Sequence, residues 1–292
     1  MKVTIVMVLY NCELKKSKTF QTFLKHKKRV DDLNLKYDFI IYDNTMEKQN
    51  ISQEYQGDSF SYVHDPRNLG IGAAYNYAWE KSRKNGNEWL LLLDQDTTLK
   101  EEYLSQIFRK DKQHFNPDIV AIVPQILSNG ILVSPLPSNK ISRKKATEKM
   151  LDEGVPSYPL TAINSGAMIK VNFLTKIGGF NKEFPLDYLD HWLFHKIQSL
   201  GYNTYVISSV LEHELSVTNY DNVSLERYKS ILNSELLFYS KYKKEMYKEF
   251  KKHLIPRFIK QLLLFRNKRI AFYTFFVLLS VIFSCNQRIA DR

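Results

Sequence analysis

The sequence predicts an α/β domain, a mostly parallel sheet with helices on both faces, followed by a basic helical C-terminal region. Two patterns carry this expectation. From Val3 onward, short apolar runs alternate with longer helix-like stretches, as in consecutive strand–helix–strand units. Beyond Ser224 the strand pattern gives way to a helical, lysine- and arginine-rich one that leads into an apolar run.

The strands expected in the first part are Val3–Leu9, Phe39–Tyr42, Ser61–Val63, Trp89–Leu93 and Ile119–Val123. The helices between them are Leu14–Lys28, Ala73–Lys84 and Glu101–Arg109. Sheets of this kind bind ligands at the carboxyl ends of their strands, so those ends are where chemistry is expected. Residues 128–160 read as a long loop or flap, because Pro135, Pro137, Pro156 and Pro159 punctuate a stretch rich in Ser, Asn and Lys. Order is expected to resume with a strand over Thr161–Val171 and a turn at Gly178-Gly179-Phe180. A helix over Tyr188–Leu200 and a strand over Tyr202–Ile207 follow. The expected division is a catalytic domain of residues 1–223 and a helical region of residues 224–292.

Composition bounds the function. With 44% hydrophobic residues in 292, a full core is available. Cys12 and Cys285 are the only cysteines, so no disulfide framework is indicated and a reducing compartment fits. Lys2 is followed at once by a strand-like run, so no leader peptide is expected. The formal charge is +11, and residues 241–269 alone hold eleven Lys or Arg against two Glu. This basic stretch lacks aromatic residues arranged as a stacking platform on a known module and runs into an apolar helix, which argues against nucleic acid as the partner.

Three strand ends carry candidate chemistry. Asp94-Gln95-Asp96 leaves the apolar run Trp89–Leu93, and two carboxylates at the exit of a buried strand repel unless a cation or water separates them. Hard oxygen ligands suit Mg²⁺ or Mn²⁺ bridging to phosphate oxygens. Tyr10-Asn11 and Asp43-Asn44 end two other strands, and alone each reads as a turn. Arg67-Asn68-Leu69-Gly70-Ile71-Gly72 opens a helix, where glycine lets backbone N–H groups approach a diphosphate and Arg67 offers a countercharge. A dinucleotide fingerprint would need a third glycine where Tyr75 stands. Elsewhere, Thr98 with Glu101 has the spacing of a helix capping box, and Asp187 is placed to be an N-cap with Asp190 in the first turn. His213 follows a strand among acidic neighbours, either a structural histidine or a metal ligand.

In order and spacing these segments resemble glycosyltransferase family 2, in particular its bacterial rhamnosyltransferase-like branch. The matching pieces are Val8-Leu9-Tyr10-Asn11, Tyr42-Asp43-Asn44, Asn68-Leu69-Gly70-Ile71-Gly72 with Asn76, and Leu93-Asp94-Gln95-Asp96. Asn164-Ser165-Gly166-Ala167-Met168, Gly178-Gly179-Phe180, Asp187-Tyr188-Leu189-Asp190, Gly201-Tyr202 and His213 complete the set. The resemblance implies a GT-A fold and an inverting, metal-dependent transfer of a sugar from a nucleotide diphosphate to a glycan hydroxyl. It places Tyr10, Asp43, Arg67, Asn68, Gly70 and Asp94 at the nucleotide sugar, Asp96 and His213 at a Mg²⁺ or Mn²⁺ ion, and Asp190 as general base. The glutamine between the two aspartates resembles transferases that use dTDP-rhamnose, and UDP-galactose in either ring form is the alternative. Trp192 and Lys196 depart from residues common in the family on the acceptor side. A catalytically inactive membrane scaffold is the rival reading, and intact Asp94, Asp96, Asp190 and His213 count against it.

The C-terminal run Ile270–Cys285 has sixteen residues flanked by Lys268-Arg269 and Arg288. A comfortable transmembrane helix needs about 20 apolar residues. The run is nevertheless too apolar to lie in water. Peripheral association of about residues 241–288 with an anionic membrane is therefore expected, at the cytoplasmic face where a lipid-linked acceptor would be presented. The alternatives are a buried terminal helix or a homodimer interface.

Overall fold

The computed structural model describes residues 2–33, 35–57, 59–109, 116–139, 141, 150–212 and 223–290, with side chains described as far as Ile282. The chain forms two compact units, Met1–Pro137 with Lys145–Glu214, and Ser138–Lys144 with Leu215–Arg292. In chain order the strands are β1 (Lys2–Leu9), β2 (Lys36–Asp43), β3 (Phe60–His64), β4 (Trp89–Leu93) and β5 (Ile119–Ser128). They continue with β6 (Ile131–Ser134), β7 (Leu136–Pro137), β8 (Leu160–Thr161), β9 (Met168–Lys170) and β10 (Asn203–Glu212). The first unit is an eight-stranded sheet in the order β10-β5-β9-β4-β1-β2-β3, with β6 on β5, while β7 and β8 pair separately. β1 runs parallel to β2 and β4, β2 to β3, and β10 to β5; β9 alone is antiparallel to both its neighbours.

Alternation along β1 supplies both faces of the core. Val3, Ile5, Met7 and Leu9 join Phe20 and Phe23 of α1 (Lys18–Asp32) in one buried cluster. Val6 and Val8 point the other way, the side on which α2 (Ile71–Lys84) packs against β1 and β4. Tyr103, Leu104 and Ile107 of α3 (Glu101–Ile107) extend the first cluster. Two further helices, α4 (Val171–Ile177) and α5 (Leu189–Ser199), pack against α2 and against β8 with β10, respectively.

Several local expectations are corrected. Leu14–Lys28 is not one helix: a single 3₁₀ turn, Leu14–Lys16, precedes α1, whose N-cap Ser17 accepts from the Phe20 amide at 3.2 Å. Residues 128–160 are not simply a loop, because Asn129-Gly130, both at positive φ, closes a hairpin that returns β6 onto β5. Lys140 and residues 142–149 of that stretch lie outside the described residues. The strand expected over Thr161–Val171 breaks in two, because Gly166 turns at φ 76° between β8 and β9. The capping box is absent: α3 starts after Lys100, and Thr98 instead bridges to Glu212. Asp187 is not the cap of α5 either; that position belongs to Tyr188, at φ 64° and without a side-chain cap bond.

The second unit packs α6 (Leu225–Leu237), α7 (Tyr247–Leu264) and α8 (Lys268–Ala290). A buried triad ties them together. The Tyr228 hydroxyl lies 2.6 Å from Thr274 Oγ1 and accepts from Gln261 Nε2 at 2.7 Å, while Thr274 donates to Gln261 Oε1 at 2.6 Å. Arg257 reaches the buried Glu235 through its two terminal guanidinium nitrogens. The apolar run expected as one block is divided by α8 between two faces. Ile270, Ala271, Val277, Leu278 and Val281 are buried, whereas Phe272, Phe275, Phe276 and Ile282 are exposed. No helix among the described residues is long and apolar enough to cross a membrane.

Among the described glycines, Gly70 leaves the least room for a side chain. It sits at φ 84°, and a Cβ there would lie 2.2 Å from the Pro185 carbonyl oxygen. Gly70→Ala is expected to lower stability by roughly 3 kcal/mol or more, from left-handed strain and overpacking together. Gly86, at φ 66° but with nothing near its missing Cβ, isolates the strain, so Gly86→Ala is expected to cost only about 1 kcal/mol. Denaturant unfolding of the two variants measures the difference, and equal losses would remove the Pro185 contact from the explanation.

Candidate active site

Strand register assembles the site. Leu9 pairs with Asp43, Asp43 with His64, and Met7 with Leu93, so β1 to β4 end at one edge of the sheet. The residues that leave this edge are Tyr10, Asn44, Asp65 and Asp94. Since β9 runs the other way, the turn before it reaches the same edge and sets Ser165 beside Asp94.

The Asp94 carboxylate is held at both oxygens. Ser165 Oγ donates to Oδ2, and the Tyr75 phenol donates to Oδ1 at 3.5 Å. Tyr75 stands on α2 with its ring wholly buried. Burial first, then the nearby charges of Asp94 and Asp190, raise its phenol well above the ordinary tyrosine range, which keeps it a neutral donor. Asp94 from β4 and Asp190 from α5 therefore act on one phenol. Asp190 lies in the first turn of α5, its Oδ1 2.7 Å from the His191 amide and 3.1 Å from His191 Nδ1. His191 in turn packs against the Tyr188 ring at 4.5 Å.

Gln95 points back toward β1. Its Oε1 accepts from the Tyr10 amide at 2.8 Å and its Nε2 donates to the Tyr10 carbonyl at 3.3 Å. The glutamine thus fixes the backbone of Tyr10, whose own side chain is 49% exposed at the edge. Asp96, two residues past Asp94, lies in the same acidic field. Burial pushes the Cys12 thiol up, and the Asp96, Glu13 and Asp43 carboxylates push it further.

Asp43 is fully buried and occupied by its own protein. Tyr62 donates to it at 2.7 Å, Gln49 Nε2 at 2.9 Å and the Thr45 amide at 2.9 Å. Gln49 also donates to the Cys12 carbonyl and accepts from the Leu14 amide, which ties the β2 exit to the β1 exit. Arg67 is exposed and bound to Asp65 at 2.7 and 2.8 Å, and Asp65 accepts from the Tyr42 hydroxyl at 2.7 Å. The Arg67 guanidinium accordingly holds the Asp65 carboxyl well below the usual carboxylate range. Asn68 is exposed at φ 46°. Gly70 faces the Pro185 carbonyl, and the Gly72 amide donates to that same oxygen at 3.0 Å, so this glycine pair docks the start of α2 onto the approach to α5. Asn76 completes that docking, donating to the Phe180 carbonyl and accepting from its amide at 2.9 and 2.8 Å. His213 lies outside the described residues.

The donor set at the β4 exit is chemically suited to a divalent ion shared with substrate phosphates. Among the described residues no cluster of three possible ligands exists. One or two carboxylates with substrate phosphates suffice for Mg²⁺, and Asp94 with Asp96 supply that number.

The sequence profile of Glycosyl transferase family 2 matches residues 4–168, more than half of the chain. The chain is a family 2 glycosyltransferase. Its largely parallel sheet, flanked by helices and carrying one antiparallel inner strand, is the GT-A fold. Solved structures agree at the level of fold. S. aureus TarS residues 1–349 in complex with UDP is 13% identical, with a TM-score of 0.52 over 96% of this chain and 89% of that one. The same TarS fragment with UDP-GlcNAc is 14% identical, with a TM-score of 0.50 over 81% of this chain and 67% of that one. Among curated proteins none matches the chain.

Sequence reasoning about this glycosyltransferase missed Tyr75, noticed only as an absent glycine, and gave no role to Ser165 or Gln49. Only Ser165 carried a signal, through the segment it shares with the family. Removing one hydroxyl from Asp94 tests the clamp. Ser165→Ala is expected to keep the fold while lowering kcat/KM by about 10-fold or more, the scale of a hydrogen bond to a charged group. Steady-state kinetics beside a thermal melt checks this, and an unchanged kcat/KM would leave the Ser165 contact without function.

Proposed function

We propose that this glycosyltransferase moves a sugar from a nucleotide diphosphate to a hydroxyl of a glycan acceptor with inversion, the acceptor being lipid-linked and presented at the inner face of the cell membrane. The observation that carries the reading is the convergence of Asp94 and Asp190 on the Tyr75 phenol. One carboxylate from a strand exit and one from a helix start thereby share a neighbourhood, as donor binding and acceptor activation require. The UDP and UDP-GlcNAc complexes of TarS support a nucleotide-sugar donor through the common fold.

In this reading Asp190 accepts the proton of the acceptor hydroxyl. The acceptor oxygen forms its bond to the anomeric carbon as the bond to the diphosphate oxygen breaks on the opposite face, and the nucleoside diphosphate leaves. Tyr10 and Asn68, both exposed at the sheet edge, contact the nucleotide. Asp43 supports the Tyr10 loop through Gln49, and Asp94 is held toward the ribose side by Ser165 and Tyr75. Asp96 would hold Mg²⁺ or Mn²⁺ with Asp94 beside it and His213 as a further ligand; when bound, the ion neutralises charge on the leaving diphosphate. The donor we favour is dTDP-rhamnose, with UDP-galactose in pyranose or furanose form as the second candidate. Gln95, the residue behind that preference, bonds to the Tyr10 backbone and so couples the β4 and β1 exits.

Asp190→Asn is expected to keep nucleotide binding and lose turnover by about 10²-fold or more, the usual scale for a lost general base. Binding measured by calorimetry and turnover by product release separate the two effects, and an active Asp190→Asn enzyme would reassign the base. Asp96→Asn is expected to remain folded and to lose both transfer and the thermal stabilisation that Mn²⁺ with a nucleotide sugar gives the native protein. Full transfer in excess EDTA would overturn the metal assignment. The same thermal shift across dTDP-rhamnose, UDP-galactose, UDP-galactofuranose and UDP-GlcNAc selects the donor.

A further inference from the structure

The helical unit leaves one apolar face uncovered. On α7 it carries Ile259, Leu263 and Leu264; on α8 it carries Phe272, Phe275 and Phe276. Leu263 and Leu264 are 71% and 68% exposed, and Phe272 and Phe276 are 62% and 67% exposed. The Phe258 and Phe275 rings meet at 5.1 Å, so the two helices adjoin along the flank of these stripes. Both stripes converge on the turn between Leu264 and Lys268. Monomeric proteins rarely expose so concentrated an apolar surface without a use for it.

The opposite faces of the same helices are fully engaged. Gln261 and Thr274 belong to the buried triad with Tyr228, and Ile270, Val277 and Val281 are buried. The exposed stripes are therefore not a core awaiting closure by a rotation of either helix.

Charge identifies the occupant. Between Glu249 and Asp291 the chain has eight Lys or Arg and no acidic residue. Lys260, Arg266, Lys268 and Arg269 are all exposed, and the last three flank the turn. A second copy docked symmetrically would bring two such cationic rims together, which is unfavourable. An anionic bilayer meets both demands, burying the apolar side chains at the acyl boundary while its headgroups face the cations.

We infer that the α7–α8 hairpin is the membrane-contacting element, with its turn and the adjoining Leu263, Leu264, Phe272 and Phe276 entering the interface of an anionic leaflet. The inference rests on the proposed work at a membrane surface and names the surface responsible. It narrows the expected contact of about residues 241–288 to the tip and one face of a helical hairpin.

The test uses the full chain and vesicles of phosphatidylcholine with or without phosphatidylglycerol. The native protein is expected to float with the anionic vesicles and not with the neutral ones. The pair Leu263→Ser with Phe276→Ser, both at exposed positions, is expected to reduce vesicle-bound protein at least 10-fold while keeping the thermal melt and nucleotide-sugar binding. A separate Leu263→Trp variant, which keeps the surface apolar, is expected to show blue-shifted emission and quenching by brominated acyl chains in anionic vesicles only. If the Ser pair floats like the native protein, or the new Trp stays in water while the protein floats, the hairpin is not the contact and the membrane reading survives without it. If the native protein floats with neither vesicle, the membrane reading itself falls. A native dimer in sedimentation that the Ser pair converts to monomer would make a second copy the occupant and overturn the lipid assignment.

Discussion

The polar residues of the site all depend on the hydrogen-bond register that β1 keeps with β2 and β4. Leu9 opposite Asp43 and Met7 opposite Leu93 bring three strand exits to one edge. A slip by one residue would turn Val3, Ile5, Met7 and Leu9 away from Phe20 and Phe23 and carry the exits out of line at the same time. Core packing and site geometry are thus one constraint. The Asn44 amide, which donates to the Leu9 carbonyl at 2.8 Å, prolongs the pairing beyond the last strand residues.

At this edge the protein holds several acidic groups close together. Hydroxyl and amide donors take part in that work. Asp43 takes Tyr62, Gln49 and the Thr45 amide; Asp94 takes Ser165 and Tyr75; Asp65 takes Arg67. Neutral donors satisfy a carboxylate without cancelling its charge. Burial raises the Cys12 thiol first, and the Asp96, Glu13 and Asp43 carboxylates add to it, so part of that negative field reaches the β1 exit.

The parts legible in the sequence were those set by local pattern. Trp89–Leu93 reads as a buried strand because it is uniformly apolar, and Asp94-Gln95-Asp96 stands out because it follows directly. The parts that stayed hidden depend on contacts between distant residues. Tyr75 looks like a broken glycine motif until α2 packs beside β4 and aims its phenol at Asp94. Gly70 reads as room for a phosphate, and the structure adds a second demand: a Cβ there would meet Pro185, more than a hundred residues away in sequence. Asp187 has the composition of a cap, but the left-handed Tyr188 shifts the start of α5 by one residue and takes that place. Asn129-Gly130 is the exception: its hairpin signal was local, and the prolines around it drew the reading toward a loop.

The C-terminal run shows why an apolar segment alone does not determine its environment. Sixteen residues from Ile270 to Cys285 are nearly all apolar, and the sequence leaves burial, assembly and lipid as open choices. Thr274 settles part of the matter. It is wholly buried between Tyr228 and Gln261, so one side of α8 is bound by specific hydrogen bonds to α6 and α7. That side cannot face lipid without stranding three polar groups, a loss that hydrocarbon would not compensate. The remaining side exposes Phe272, Phe275, Phe276 and Ile282, and Lys268 and Arg269 lie at its start. An element with one face committed to its own unit and the other apolar is suited to the boundary between water and lipid, and unsuited to spanning the bilayer.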